Sequence, residues 1–174
     1  MRTLAITVLS AMLLSSCGFS PLYGERSVAA APAVNDALSQ VIIRPLPDRQ
    51  GQKLRQVLRE QLQPRGMAPK PTFDLEVQLT RRTEEVGVRR DATSSRANYI
   101  LTATFFLNEG SNRVLGDRVQ AIISYNILDE QYATVASQAD AEDRAIRRVG
   151  EEIKTRLAIY FHQRTEKPVA MATP

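Results

Sequence analysis

Phe73-Asp74-Leu75-Glu76-Val77-Gln78-Leu79-Thr80 alternates apolar and polar side chains without a break over eight residues. A strand places successive side chains on opposite faces, so this stretch reads as a strand buried on one side only. A slip of one residue would turn all four apolar side chains to water, which fixes the register strongly. The same reading extends to Tyr99–Leu107 (YILTATFFL) and to a strand within Val114–Leu128, where Val119, Ala121, Ile123, Tyr125 and Ile127 share a face. Between the first two, residues 81–96 are polar and read as an extension of the strands into a ribbon. Asn108–Asn112, with Gly110 inside it, supplies the next turn.

Upstream, Val41-Ile42-Ile43-Arg44-Pro45-Leu46 is a β-branched run closed by Pro47, and Pro45 restricts it to an edge or to a strand end. Asp48 stands where an N-cap is expected for a helix from Arg49 to about Gln63. Leu54, Val57, Leu58 and Leu62 form its apolar stripe, and Pro64 and Gly66 end it. A second, longer helix is expected to start between Thr134 and Ala141 and to end near Gln163. Its stripe runs through Ala139, Glu142, Ile146, Val149, Ile153, Leu157 and Tyr160 or Phe161. The order is therefore β-α-β-β-β-α. It implies an α+β domain, with a mixed or antiparallel four-stranded sheet covered on one face by two amphipathic helices. The first two strands, separated by a helix, are compatible with a parallel pair.

The N-terminus follows different rules. Leu4–Leu14 is an apolar run of eleven residues behind Met1-Arg2-Thr3. As a helix it reaches only about 16 Å, roughly half a hydrocarbon core, so it reads as a signal peptide and not as a span. Leu14-Ser15-Ser16-Cys17 resembles a bacterial lipobox, in which the cysteine is acylated and becomes the first mature residue. Cys17 is the only cysteine of the 174-residue chain, so internal disulfides and cysteine-rich zinc sites are excluded. Gly18, not Asp, follows it, which favours the outer membrane over retention at the inner one. The expected organisation is a leader over 1–16, a lipidated N-terminus and flexible tether over 17–38, one domain over 39–164 and a disordered tail over 165–174. A short helix through Ala33–Leu38 is compatible with the tether.

Charge and motifs narrow the function. The chain carries 23 Lys+Arg against 19 Asp+Glu, and the leader removes only Arg2. So mild a basic bias does not indicate a nucleic-acid partner. The single histidine, His162, has no second histidine or cysteine with which to share a metal. No HExxH, GxSxG, GxxxxGK[ST] or GxGxxG motif occurs, and the expectation is a protein without catalytic residues, metal or cofactor. The one functional-looking cluster is Arg81, Arg82, Arg89, Arg90 and Arg96, interrupted by Glu84, Glu85 and Asp91. Planar guanidinium forks match phosphate oxygens, so this ribbon is a candidate for contact with lipopolysaccharide phosphates. A solvated hairpin whose charges pair locally is the competing account.

Cys17-Gly18-Phe19-Ser20-Pro21-Leu22-Tyr23-Gly24 resembles the opening of alphaproteobacterial members of the LptE family of lipopolysaccharide-assembly lipoproteins. The likeness continues in Ile43–Arg49, Ser124-Tyr125-Asn126 and Arg156–Phe161. It implies two helices on a four-stranded sheet and an outer-membrane lipoprotein that plugs the LptD β-barrel. It further implies a role in moving lipopolysaccharide to the cell surface, with no catalytic residues. The different expectation set beside it is a lipoprotein that binds a small or lipidic ligand without a barrel. Replacing Cys17 with Ala is expected to abolish incorporation of labelled palmitate and to shift the protein to the soluble or unprocessed fraction. Unaltered labelling would sink the lipobox reading.

Overall fold

A computed structural model of the chain describes residues 33–88, 94–128 and 130–166. Its elements are α1 (residues 33–39), β1 (Val41–Ile43), α2 (Asp48–Leu62), β2 (Phe73–Val88), β3 (Ser94–Glu109), β4 (Asn112–Asn126) and α3 (Gln131–Glu166). The strands form one sheet in the order β1-β2-β3-β4. β1 lies parallel to β2, and the other neighbours are antiparallel, so the sheet is mixed.

The alternation in Phe73–Thr80 does what the sequence implies. Phe73, Leu75 and Val77 are buried with Tyr99, Leu101, Ala103, Phe105 and Leu107 of β3 and Val119, Ala121 and Tyr125 of β4. Onto this face pack Leu54, Leu58 and Leu62 of α2, and Ala141, Ala145, Ile146, Val149, Ile153, Leu157 and Phe161 of α3. The polar ribbon continues the pairing of β2 and β3 out to Val88 and Ser94. At the other end, the strands close through a turn at Gly110, whose φ of 58° suits glycine, with a bulge at Leu107/Asn108.

Two expectations require correction. The described residues hold three helices, not two, so the chain runs α-β-α-β-β-β-α. The added helix, α1, spans seven residues, too few for a helical period to stand out. Its place is secured by Leu38, which is buried in the core, with Val34 and Ala37 against it. Asp48 begins α2 but adopts a left-handed backbone with φ of 68°, and no side-chain hydrogen bond caps the helix there. Instead, the Gln52 amide donates to the Leu46 carbonyl at 2.7 Å and ties the incoming loop to the first turn.

α2 and α3 meet at a glycine. A Cβ built on Gly150 would stand 2.7 Å from Val57 Cγ1, so only glycine permits this approach. Polar bonds flank the crossing, with Lys53 Nζ reaching Asp143 at 2.5 Å and the Gln50 amide donating to Glu142 at 2.7 Å. α3 also begins earlier than its apolar stripe predicts. Its first turns project beyond the core, and Tyr132 and Val135 are 86% and 58% exposed.

Leu157 has no exposed surface. Leu157→Ala is expected to cost about 2–5 kcal/mol in denaturant unfolding. Arg148→Ala, on the exposed side of the same helix, should stay within about 0.5 kcal/mol of the parent.

Candidate functional site

Cross-strand partners share a face, which decides where the arginines of the ribbon stand. Arg82 pairs with Ile100, and Arg96 with Val86, so both lie on the face that the helices leave open. They are four strand positions apart along β3, roughly 13 Å. Arg81 pairs with Leu101 and belongs to the other face. It lines a cleft of about 480 Å³ with Arg44, Pro47, Gln50, Glu76 and Leu79. Arg82 is held by Glu84 at 2.9 Å. The structure thus brings Arg82 and Arg96 onto one surface and separates Arg81 from them. Arg89, Arg90 and Cys17 lie outside the described residues.

The open face is mainly polar. Gln78, Thr80, Thr102, Thr104, Gln120, Ser124 and Asn98 occupy it. They bond across strands, Gln120 to the Thr102 hydroxyl at 3.1 Å and Ser124 to the Asn98 side-chain oxygen at 2.7 Å. Near the hairpin end, the Arg113 guanidinium stacks 3.9 Å above the Phe106 ring, across from Gly116. The apolar exceptions are Ile100, at 3% exposure and apart from the main core, its β4 partner Ile122, Val86 opposite Arg96, and Phe106 beneath Arg113.

The opposite side is filled with packed side chains. Leu54, Leu58, Leu75, Leu101, Phe105, Val149, Ile153 and Leu157 have no accessible surface. Clefts of about 980 and 570 Å³ lie at the margins of the sheet, one between β1 and α2, the other between β4 and α3. The first is lined by Ile42, Arg55, Arg59, Gln63 and Met67. His162 is exposed near the end of α3. Among the described residues, no group of three His, Cys, Asp or Glu side chains could hold a metal ion.

Two perturbed groups escape sequence reading because their partners are distant in the chain. Burial pushes the Tyr99 phenol up, helped by the charge of Glu142 and opposed by Arg81 and by the Gln50 side chain beside it. The second is Glu109, at the β3–β4 turn. It receives both terminal nitrogens of Arg164 at 2.8 and 2.9 Å, and this pairing holds its carboxyl below the ordinary range. Arg164 also stands over Phe73, which packs edge-on against Phe161. The pair clips the end of α3 to the hairpin.

The fold is shared with small bacterial α+β domains whose own descriptions call them lipoproteins. A crystal structure of one from Caulobacter crescentus superimposes with a TM-score of 0.63 at 22% identity, covering 75% of this chain and 96% of that one. A minor lipoprotein from Acinetobacter baumannii gives 0.55 at 15% identity, covering 68% and 88%. Lipoprotein B from Nitrosomonas europaea gives 0.55 at 12%, covering 69% and 82%. No curated protein matches the sequence. The family model for lipopolysaccharide assembly, LptE, matches residues 28–157, and the chain belongs to that family.

Because Glu109 is depressed in the fold, its pairing stabilises the protein fully above the ordinary carboxylate pKa of about 4.5. That contribution fades as pH falls through the lowered value. In Arg164→Met, the Glu109 carboxyl carbon should therefore titrate at higher pH than in the parent. The stability gap between the two proteins should narrow on acidification. A superimposable Glu109 titration would remove the clip from the account.

Proposed function

We propose that this protein is an outer-membrane lipoprotein of the lipopolysaccharide-assembly machinery that partners the LptD β-barrel. The folded domain acts there as plug and assembly factor, and no catalysis is involved. The observation that carries this reading is the open sheet face. A four-stranded sheet whose second side is mostly threonine, glutamine, asparagine, serine and charged groups, with Ile122 and Val86 scattered among them, suits the polar lumen of a large barrel better than it suits a buried apolar interface. Family membership over residues 28–157 supplies the lipopolysaccharide theme. In this reading, acyl chains on Cys17 hold the domain at the membrane and raise its effective concentration at the barrel.

Within that assembly, Arg82 and Arg96, with Arg81, Arg89 and Arg90 of the same ribbon, are the proposed contacts for lipopolysaccharide phosphates. Arg82 and Arg96 share an exposed surface, which supports their taking two phosphates of one headgroup. The alternative of a lipidic ligand held between helices and sheet finds little support. That interior is occupied by fully buried leucine, isoleucine and phenylalanine side chains.

Affinity purification from detergent-solubilised outer membranes tests the partnership. A stable complex with a β-barrel of much larger mass is expected, and recovery of monomer alone would overturn it. Replacing Arg89, Arg90 and Arg96 with Ser should weaken binding to purified lipopolysaccharide and flatten its salt dependence while the thermal melt is preserved. Equal affinity in the variant would exclude the ribbon but leave the barrel partnership standing.

A further inference from the structure

The sheet ends at β4, whose outer edge has no neighbouring strand among the described residues. Such an edge presents unpaired N–H and C=O groups along its length, and proteins usually guard it. The edge at β2 is guarded. β1 covers Phe73–Leu75, Arg44 reaches Asp74 and Glu76 at 3.7 and 3.9 Å, and the Arg82–Glu84 pair stands further along. β4 has charged fittings only toward its start, where Arg113 stacks on Phe106 and Asp117 pairs with Arg156 at 3.2 Å. Gln120-Ala121-Ile122-Ile123 carries no charge, and Ile122 is 57% exposed.

Beside these four residues lies the cleft of about 570 Å³, whose far wall is Arg144, Arg147, Arg148 and Glu151 of α3. Arg144 and Arg148 pair with Asp140 and Glu152 of their own helix at 2.8 and 3.4 Å. Arg147 forms no ion pair among the described residues and is exposed. Arg144 and Arg148 are separated by about 6 Å along the helix axis. Alternate side chains of a strand recur at roughly 6.6 Å. A strand laid along β4 would therefore present every second side chain near this basic row.

We propose that the β4 edge is a strand-addition site for an extended, acidic segment of a partner protein. The segment pairs its backbone with Gln120–Ser124 and sets carboxylates at alternate positions against Arg144 and Arg148, with Arg147 between them on the same wall. A second copy of this chain fits less well, because pairing β4 with β4 would bring two basic rows together. The chain's own residues 18–32 hold one acid, Glu25, followed by Arg26, and so lack the complementary charge. The inference concerns an edge and not the ribbon arginines, so its failure would leave the lipopolysaccharide reading untouched.

The test uses the whole protein labelled with ¹⁵N and a capped nine-residue peptide of alternating Glu and Val. Expected are slowed hydrogen exchange at outward amides within Gln120–Ser124 and at least tenfold weaker binding by Arg147→Glu, an exposed change checked by its melting curve. Of two versions of the peptide N-methylated at every second residue, the one methylated on the amides that face β4 should not bind, and the one methylated on the amides that face away should bind as the parent does. Equal binding by both would mean adsorption by charge alone and overturn the proposal. So would β4 amides already protected by self-association, perturbations confined to another surface, or an unaltered affinity in Arg147→Glu. If inorganic phosphate displaced the peptide and left the β4 amides unprotected, the arginines would be an anion site and the edge reading would fall.

Discussion

Pairing of β2 with β3 in a single register governs this molecule. Leu75 opposite Leu107, Val77 opposite Phe105 and Leu79 opposite Ala103 put one continuous apolar surface under the helices. Every remaining position is then committed to the other side. Thr80 must lie beside Thr102, and Arg82 beside Ile100, whatever use is made of that face. Burial of large side chains stabilises by about 1.5–3 kcal/mol each, so the register is held far more firmly by the covered face than the open one can oppose. The surface available to partners is thus a by-product of the core.

The helices answer the same constraint. α2 supplies Leu54, Leu58 and Leu62 and α3 supplies Ile146, Val149, Ile153 and Leu157 to one shared layer, and they can do so only if they sit close together. Gly150 permits that approach at Val57, and Gly51, where a Cβ would meet Leu46 at 2.6 Å, lets the β1–α2 loop fold back onto the helix. Lys53 then links the pair to Asp143 and Glu142, and its pKa rises chiefly through the Asp143 bond. The pairing is partly exposed, so its worth lies more in orientation than in energy.

Strand alternation in Phe73–Thr80, the α2 leucine stripe and the parallel first pair were legible because each obeys a period or a connection rule that the sequence displays. α1 was legible only as a short helix compatible with the tether, and its docking was not, since Leu38 is fixed by a tertiary contact and not by a pattern. The early start of α3 was missed for the opposite reason. Gln131–Asp140 is helical without a buried stripe, so no apolar period marks it, although the Thr134 hydroxyl bonded to the backbone of Leu128 shows where the chain turns in. Of the candidate site, the arginine-rich composition could be read but the split of Arg81 from Arg82 and Arg96 follows only from extending the β2 alternation through residue 82. Arg147 and Ile122 carried no motif at all, because an edge exists only once strand order is known.

A domain of this kind faces a conflict between solubility and assembly. Under the proposed function it would remain folded and separate until it meets the barrel, and would then contact it over a wide area. A polar open face serves the first need, because hydroxyl and amide groups are as well satisfied by water as by another polar wall. Such a face gives little directional preference, however, since threonine and glutamine can rebond in many arrangements. Direction has to come from features that tolerate one geometry only. Backbone pairing at a strand edge, with carboxylate–guanidinium pairs spaced to match a helix, is such a feature. A broad adaptable face and a narrow exacting edge on one small domain would divide the work: the face would fill space, and the edge would fix orientation.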